Sequence, residues 1–268
     1  MDRLVVILLS CCYACFVEGN TAPSREEPPY GKWKNWKEAF EALRNKYKMY
    51  KDTKPVGKDV EVRAEVMYDT AFYNGSMKWK IEDNSDVGKK DTVMKKYFEE
   101  LLAKLQLYFH NQSIFVNITV ASATEMNKLT VFYANGLKIV NANKTLEKIQ
   151  EYGRSQKKGH NTIFYLFTWP ENKGNPKRLF DFITTTGKPK LGVPVAATKG
   201  TFCSGTTSAA LVRHTYGSGK VWSAASATTT VFGSDNFFAI PSNDRDEMNT
   251  AFSRCGVHTQ ETLEVPQC

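Results

Sequence analysis

The sequence predicts an α/β (α+β) domain in which a mixed, mostly parallel sheet is flanked by helices. Segments with apolar residues at every second position, typical of strands, alternate along the chain with segments whose apolar residues recur every three or four positions, typical of helices. Residues 163–167 are apolar without interruption, as expected for a central strand that is covered on both faces. With 268 residues, of which 41% are hydrophobic, the chain can bury a large core.

The predicted elements follow from these periodicities in chain order. The first strand covers residues 60–66, and a long amphipathic helix follows over residues 91–109. Asn143 is placed to cap a helix over residues 145–154, because its side chain can accept a hydrogen bond from the first turn. The remaining predicted strands cover residues 114–120, 163–167, 191–197 and 209–212.

Composition and charge exclude several classes of protein. Charged residues make up 24% of the chain, close to the average of globular proteins, which excludes a disordered chain, a collagen-like fibre and a multi-span membrane protein. Lys and Arg outnumber Asp and Glu by 36 to 28, a net charge of +8. This excess suits anionic partners such as sulfated glycans or acidic proteins.

The first segment of the chain predicts export. Residues 1–19 resemble a signal peptide, with Arg3 before a short apolar stretch and Gly19 at the expected cleavage site. Residues 20–57 then form a basic N-terminal arm, in which residues 32–51 have the pattern of an amphipathic helix, and residues 58–268 form the main domain. We therefore expect a secreted, extracellular protein with no stable membrane insertion.

Cysteines and glycosylation motifs agree with an oxidising compartment. Removal of the signal peptide leaves Cys203, Cys255 and Cys268, an odd number that implies one disulfide and one remaining thiol. Four Asn-x-Ser/Thr motifs predict N-glycosylation, although the third lies in a predicted strand and is the weakest; they are at Asn74, Asn111, Asn117 and Asn143.

Common catalytic and cofactor motifs are not found in the sequence. The four histidines lie far apart, so no pair has the i, i+4 spacing of a helical zinc site, and we expect no metal and no cofactor. There is no Gly-x-Ser-x-Gly motif, and Gly217 to Lys220 lack the length of a phosphate-binding loop. Cys203 with His214 could act as a nucleophile pair, but a disulfide is the favoured role of a cysteine in a secreted chain.

Basic residues occur in three clusters that could together bind a polyanion, although most such clusters are solvated surface. No element that reads nucleic acid is recognisable, so we expect no nucleic-acid partner. The clusters are Lys89, Lys90, Lys95 and Lys96; Arg154, Lys157 and Lys158; and Lys173, Lys177 and Arg178.

Several short motifs occur in a characteristic order along the chain. They are Val66-Met67-Tyr68-Asp69, Thr145-Leu146-Glu147-Lys148, the strand Ile163 to Thr168, Leu191-Gly192-Val193-Pro194-Val195-Ala196, Gly200-Thr201-Phe202-Cys203, Ser208 to His214, and Phe252-Ser253-Arg254-Cys255. This order resembles that of the reprolysin (adamalysin-type) metzincins, and among them the tick salivary metalloprotease-like proteins. The resemblance runs from about residue 58 to residue 255 and implies a metzincin-like sheet flanked by helices.

The zinc-binding motif of that family is degenerate in this chain. Residues 226–236 align with HExxHxxGxxH, and only the glycine, Gly233, is kept. Ser226, Thr230 and Asn236 stand at the three zinc-ligand positions, and Ala227 stands where the general base is a glutamate. Because zinc and that carboxylate together activate the attacking water, the resemblance implies a metalloprotease-like protein that is not an enzyme.

The resemblance also implies a disulfide, a partner and a binding surface. It pairs Cys203 with Cys255 and leaves Cys268 free or available for a disulfide-linked dimer. It implies that the protein binds a host protein or an anionic glycan during blood feeding, in a cleft edged by Gly192 and Val193.

Two alternatives remain open at this stage. One is an active zinc metalloendopeptidase with relocated ligands, drawn from Asp235, His214 and His258. The other is a heparin- or glycosaminoglycan-binding module that uses the basic surface.

Overall fold

The helices and strands come from a computed structural model, which describes residues 54–74, 87–133, 138–171, 179–183, 189–238 and 240–259, all within one compact unit, Asp52–Cys268. In chain order they are β1 (Val56–Tyr68), α1 (Thr70–Asn74), α2 (Val87–His110), β2 (Ile114–Glu125), α3 (Ala142–Ser155), β3 (Thr162–Thr168), β4 (Phe180–Ile183), β5 (Pro189–Val193), β6 (Val195–Ala197), β7 (Ser208–Arg213), α4 (Trp222–Phe232), α5 (Ser242–Ser253) and a 3₁₀ helix (Arg254–Thr259).

Several expectations concern residues outside this description. They are the signal peptide, the helix at residues 32–51, the basic cluster at residues 173–178 and the thiol of Cys268. Within the described residues, no helix has the length and apolar character needed to cross a bilayer.

The main sheet is mixed and mostly parallel, which confirms the predicted fold class. Its five strands lie in the order β2-β1-β3-β7-β6. The β1–β2, β1–β3 and β3–β7 pairs are parallel, and β6 alone runs antiparallel to its neighbour β7. Parallel neighbours need long crossover connections, and helices α2 and α3 lie in those connections.

The central strand β3 is buried along its whole length because helices cover both faces of the sheet. On one face Phe164 packs edge-on against Tyr152 of α3, with ring centroids 6.2 Å apart. On the other face the ring centroid of Phe167 lies 4.9 Å from that of Phe98 in α2. The unbroken apolar run at residues 163–167 is therefore the covered central strand that the sequence predicts.

The prediction of one strand over residues 191–197 is wrong, because this segment forms two strands, β5 and β6. β5 pairs antiparallel with β4 in a separate two-stranded sheet, where Val193 lies opposite Phe180, whereas β6 pairs with β7. Pro194 lies between them; it has no N–H to donate, and its carbonyl accepts a hydrogen bond from Arg213 N at 3.0 Å. Gly192 has a φ of 75°, which redirects β5 before this point.

The cap of α3 also differs from the prediction. Asn141, not Asn143, is the N-cap residue: its backbone is extended and its side chain accepts a hydrogen bond from Lys144 N at 3.1 Å. A backbone hydrogen bond from Asn141 N to Val131 O holds this cap, so the helix begins earlier than the side-chain pattern indicates. Asn143 lies in the first turn.

A buried carboxylate joins the carboxyl ends of β1 and β3. Asp69 Oδ2 accepts hydrogen bonds from the hydroxyls of Thr168 at 2.6 Å and Thr130 at 2.9 Å, and Oδ1 accepts one from Phe72 N at 3.0 Å. Burial raises the pKa of Asp69, and these hydrogen bonds oppose that shift because they favour the charged form. The network fixes the start of α1 and the segment around Thr130 to the sheet.

Helix α3 approaches the sheet through a glycine, and this contact predicts the effect of a substitution. A Cβ on Gly153 would lie 2.6 Å from Phe164 Cδ2 and 2.7 Å from Thr207 Cγ2. We expect Gly153→Ala to lower the free energy of unfolding by about 1–3 kcal/mol, because overpacking outweighs the better helix propensity of alanine. Urea denaturation measures this change.

Gly205→Ala is the matched control. A Cβ on Gly205 would meet no atom within 4 Å, so the same substitution should change the free energy of unfolding by less than about 0.5 kcal/mol. Equal effects of the two variants would contradict close packing at Gly153.

Candidate functional site

The residues that align with the zinc motif lie on α4 and in the turn after it. Helix α4 ends at Phe232, where Gly233 adopts a left-handed φ of 117°. The Gly233 N–H donates to the carbonyl oxygens of Thr229 and Thr230 in the last turn of the helix. A residue with a side chain would adopt this left-handed backbone conformation only under strain. The helix therefore ends sharply at this glycine.

At two of the three ligand positions, those of Thr230 and Asn236, the side chain bonds to another group of the protein. Ser226 and Thr230 are half-buried and one turn apart, and the Thr230 hydroxyl donates to the Ser226 carbonyl oxygen at 3.0 Å. Asn236 lies beyond the turn, and its Nδ2 donates to Asp244 Oδ2 in α5 at 3.0 Å. The Ser234 hydroxyl also bonds to Asp244, so this turn is fastened to α5.

The inner face of α4 is packed and its hydroxyls are satisfied. Ala227 is fully buried, at the position where the family has its general base. Thr228 Oγ1 donates to the carbonyl oxygen of Ala224 at 2.8 Å and lies 2.8 Å from the hydroxyl of Tyr165 in β3. Such hydroxyl bonds to the preceding turn satisfy buried polar groups within the helix.

This set of side chains does not fit zinc. Catalytic zinc takes imidazole, thiolate or carboxylate ligands, and hydroxyls and an amide are poor substitutes for them. In the part of the chain that the structure describes, no group of three or more His, Cys, Asp or Glu side chains could hold a metal ion. Ala227 has no group that could take a proton from water.

The residues of the relocated-ligand alternative have other surroundings. His214 is 5% exposed and lies among aromatic rings, with Nε2 2.7 Å from the Tyr97 hydroxyl. Burial lowers the pKa of the His214 imidazole to about 4. A hydrogen bond with the backbone of Ser218 raises this pKa, but its effect is smaller than that of burial. Asp235 is exposed and pairs with Lys199 at 2.6 Å. His258 lies in the 3₁₀ helix, and its side chain is outside the described part.

A disulfide fastens the loop before β7 to the end of α5. Cys203 is joined to Cys255, the pairing that the resemblance implies, with Cα atoms 5.0 Å apart. Beside it, Arg254 Nη2 donates to the carbonyl oxygens of Gly200 and Phe202, each at 3.1 Å. This role of Arg254 could not be predicted from the sequence, since a single arginine at the end of a polar helix has many possible partners.

The same loop holds the end of α4. Gly200 N donates to Thr230 O at 3.0 Å, so a carbonyl of the last helical turn is satisfied from outside the helix. Phe232 packs against Phe202 and Phe252, with ring centroids 5.0 Å apart in each pair. The helix that would carry zinc is thus held by hydrogen bonds, aromatic packing and a disulfide.

The glycosylation motifs differ in their exposure. Asn117 is exposed on β2, at the edge of the main sheet. Asn111 is half-buried, and its Nδ2 is shielded from solvent without a hydrogen-bond partner in the described region. Asn143 is half-buried in α3, and Asn74 is the last residue of α1.

Comparisons with known proteins give a distant structural similarity. No family model matches the chain, and no curated protein matches it. Among solved structures it is similar to metalloproteinase-II from Bacteroides fragilis, with a TM-score of 0.37 and 11% sequence identity, over 74% of this chain and 55% of that one. The chain thus spans about half the length of that protein, and a similarity of this size says nothing about activity or ligand.

The buried state of His214 predicts a pH dependence of stability. The unfolded chain takes up a proton on this histidine near pH 6.5, whereas the folded chain does so only near pH 4. The free energy of unfolding therefore falls as the pH falls through this window, by up to about 3 kcal/mol from this group. Urea denaturation across the window should show a shallower dependence for His214→Gln, while His160→Gln, at an exposed position, keeps the wild-type slope. Identical slopes for wild type and His214→Gln would contradict a neutral buried imidazole.

Exposure also predicts which glycosylation motifs are used. In a eukaryotic secretory host we expect a glycan on Asn117 and none on Asn111, because a glycan on the buried Nδ2 of Asn111 could not be accommodated in this fold. Peptide mass spectrometry after enzymatic deglycosylation gives the occupancy of each site. A glycan on Asn111 in folded protein would contradict the shielding of its Nδ2 from solvent.

Proposed function

We propose that this chain is a secreted glycoprotein with a metzincin-like fold and no catalytic zinc, which binds a host protein during blood feeding. The observation that carries the proposal is the chemistry of α4: Ser226, Thr230 and Asn236 stand at the ligand positions of the resembled motif, and the last two bond to protein groups. A helix with these residues keeps its place beside the sheet without the means to activate water. Export rests on the signal-peptide pattern of residues 1–19 and on the glycosylation motifs, and the salivary origin rests on the family resemblance.

The binding surface that we propose is the cleft between β6 and α4. β6 is the edge strand of the main sheet, and Val195 and Ala197 are both half-buried. Hydrogen bonds of Thr198 N to Ala209 O and of Arg213 N to Pro194 O set the register of β6 on β7. In that register the N–H and C=O groups of Val195 and Ala197 point away from β7, where an extended peptide could pair with them.

We therefore propose a cleft edge a few residues beyond Gly192 and Val193, the residues expected from the sequence. Gly192 and Val193 belong to β5, whose partner is β4, and they contribute to the separate two-stranded sheet. Val195 and Ala197 replace them as the edge residues of the proposal.

The experiment combines zinc analysis with partner capture. We expect purified protein to retain less than about one zinc per ten chains, because its donor set is poor. From host plasma at physiological salt, we expect it to capture one protein in stoichiometric amount. Ala197→Pro, which removes one outward N–H, should weaken that complex about tenfold or more.

Lys199→Ala is the control for this variant. It changes an exposed side chain two residues away and leaves the backbone of β6 intact, so the complex should keep its affinity. Thermal unfolding tests whether Ala197→Pro is folded. If Ala197→Pro does not fold, Ala197→Arg replaces it, because the arginine adds bulk at the same edge. Unchanged binding by a folded edge variant would overturn the cleft, and one tightly held zinc with chelator-sensitive peptidase activity would establish the relocated-ligand enzyme instead.

A further inference from the structure

The amino ends of β3 and β7 border a small pocket with basic and hydroxyl residues around it. The last turn of α3 contributes Arg154, the residues just after the helix contribute Lys157 and Lys158, and the segment before β7 contributes Thr206 and Thr207. The two groups are about fifty residues apart in the sequence and meet because β3 and β7 are parallel neighbours. The sequence predicted the basic cluster but gave no sign of the hydroxyls opposite it.

The volume of the pocket limits what can enter it. It measures about 100 Å³, below the 300 Å³ or so at which sites for whole small molecules begin. One tetrahedral oxyanion fits such a space, whereas a complete sugar ring or nucleotide does not. A larger ligand could therefore place only one anionic group in the pocket and would lie on the surrounding surface.

The charges around the pocket favour an anion. Lys158 pairs with Glu65 at 3.1 Å, which offsets its charge. Arg154 and Lys157 are exposed, and no carboxylate in the described part of the chain forms an ion pair with either. Two uncompensated cations beside hydroxyl donors are the groups that hold a sulfate through charge-assisted and neutral hydrogen bonds.

A purely structural role accounts for only part of this arrangement. Arg154 and Lys157 lie at the carboxyl end of α3, where cations stabilise a helix through its dipole. That role does not require Thr206 and Thr207, which belong to a different segment and are exposed or half-buried. Helix stabilisation and anion binding can be distinguished by experiment. Loss of helix stabilisation lowers the stability of the protein, whereas loss of anion binding lowers its affinity for the ligand.

We propose that this pocket binds one sulfate group of a sulfated glycan, with Arg154 and Lys157 as the charged contacts and Thr206 and Thr207 as hydroxyl donors. The site lies at the amino ends of the parallel strands and is separate from the β6–α4 cleft. It shares with the proposed function only the expectation of export, since sulfated glycans are extracellular. The Ala197→Pro variant of the cleft should bind the glycan normally, so failure of either proposal leaves the other testable.

The test measures the affinity of the full chain for a heparin-derived hexasaccharide by calorimetry at physiological salt. We expect binding to the sulfated probe and none to its desulfated form. The double variant Arg154→Ala/Lys157→Ala should bind the probe about tenfold or more weakly, because it lacks both charged donors. Thr206→Val/Thr207→Val, which keeps the charge, should bind it several-fold more weakly.

Lys144→Ala/Lys148→Ala is the matched control. It also removes two positive charges from exposed positions on α3, outside the three basic clusters, so the affinity should change less than about twofold if the pocket is specific. Equal losses of affinity in both charge variants would show that net charge alone accounts for binding, and this result would overturn the proposal. So would absence of binding to the sulfated probe, a lower melting temperature of Arg154→Ala/Lys157→Ala with unchanged affinity, or complete displacement of the probe by physiological concentrations of inorganic sulfate.

Discussion

The complete burial of β3 is the constraint on which the rest of the structure depends. A strand with every residue buried needs a neighbour on each side and a helix over each face, because its polar backbone must be paired and its apolar side chains covered. The neighbouring strands are β1 and β7. Helix α3 covers one face of β3, and helices α2 and α4 cover the other. Both proposed binding surfaces lie on β3, on its neighbour β7 or on elements that pack against these two strands.

Helix α4 and the turn after it are held in place by contacts between protein groups. In a zinc enzyme the metal links the helix to the residues after its turn, and this link contributes to folding. Here the link is made by other means: Asn236 and Ser234 bond to Asp244, and Gly200 bonds to Thr230. The disulfide between Cys203 and Cys255 closes a long loop around the same helix, which stabilises the folded chain in the chain-entropy account.

The two binding surfaces that we propose differ in chemistry. The edge of β6 offers backbone groups to an extended peptide, a recognition mode that tolerates many sequences. The pocket at the start of β3 and β7 offers charge and hydroxyls, which select an anionic group. A protein with both surfaces could hold a host protein at one while the other holds a sulfated glycan, and the two could be occupied together.

The sequence by itself determined the features that depend on periodicity and residue identity. The apolar run at residues 163–167 predicted the covered strand, and the alternation of helix and strand predicted the parallel sheet, since both are local consequences of which face is buried. The residues at 226, 230 and 236 determined the donor chemistry, because a side chain without a suitable ligand atom cannot acquire one by folding.

Only the tertiary structure decided which segments meet. The division of residues 191–197 between two sheets depends on partners far away in the sequence, Phe180 for one half and Val212 for the other. The exposure of Asn117, the burial of His214 and the placement of Thr206 beside Arg154 likewise arise from contacts between distant segments. Hydrophobic patterns specify that a face is buried but carry no record of what covers it, so these pairings could be read only from the folded chain.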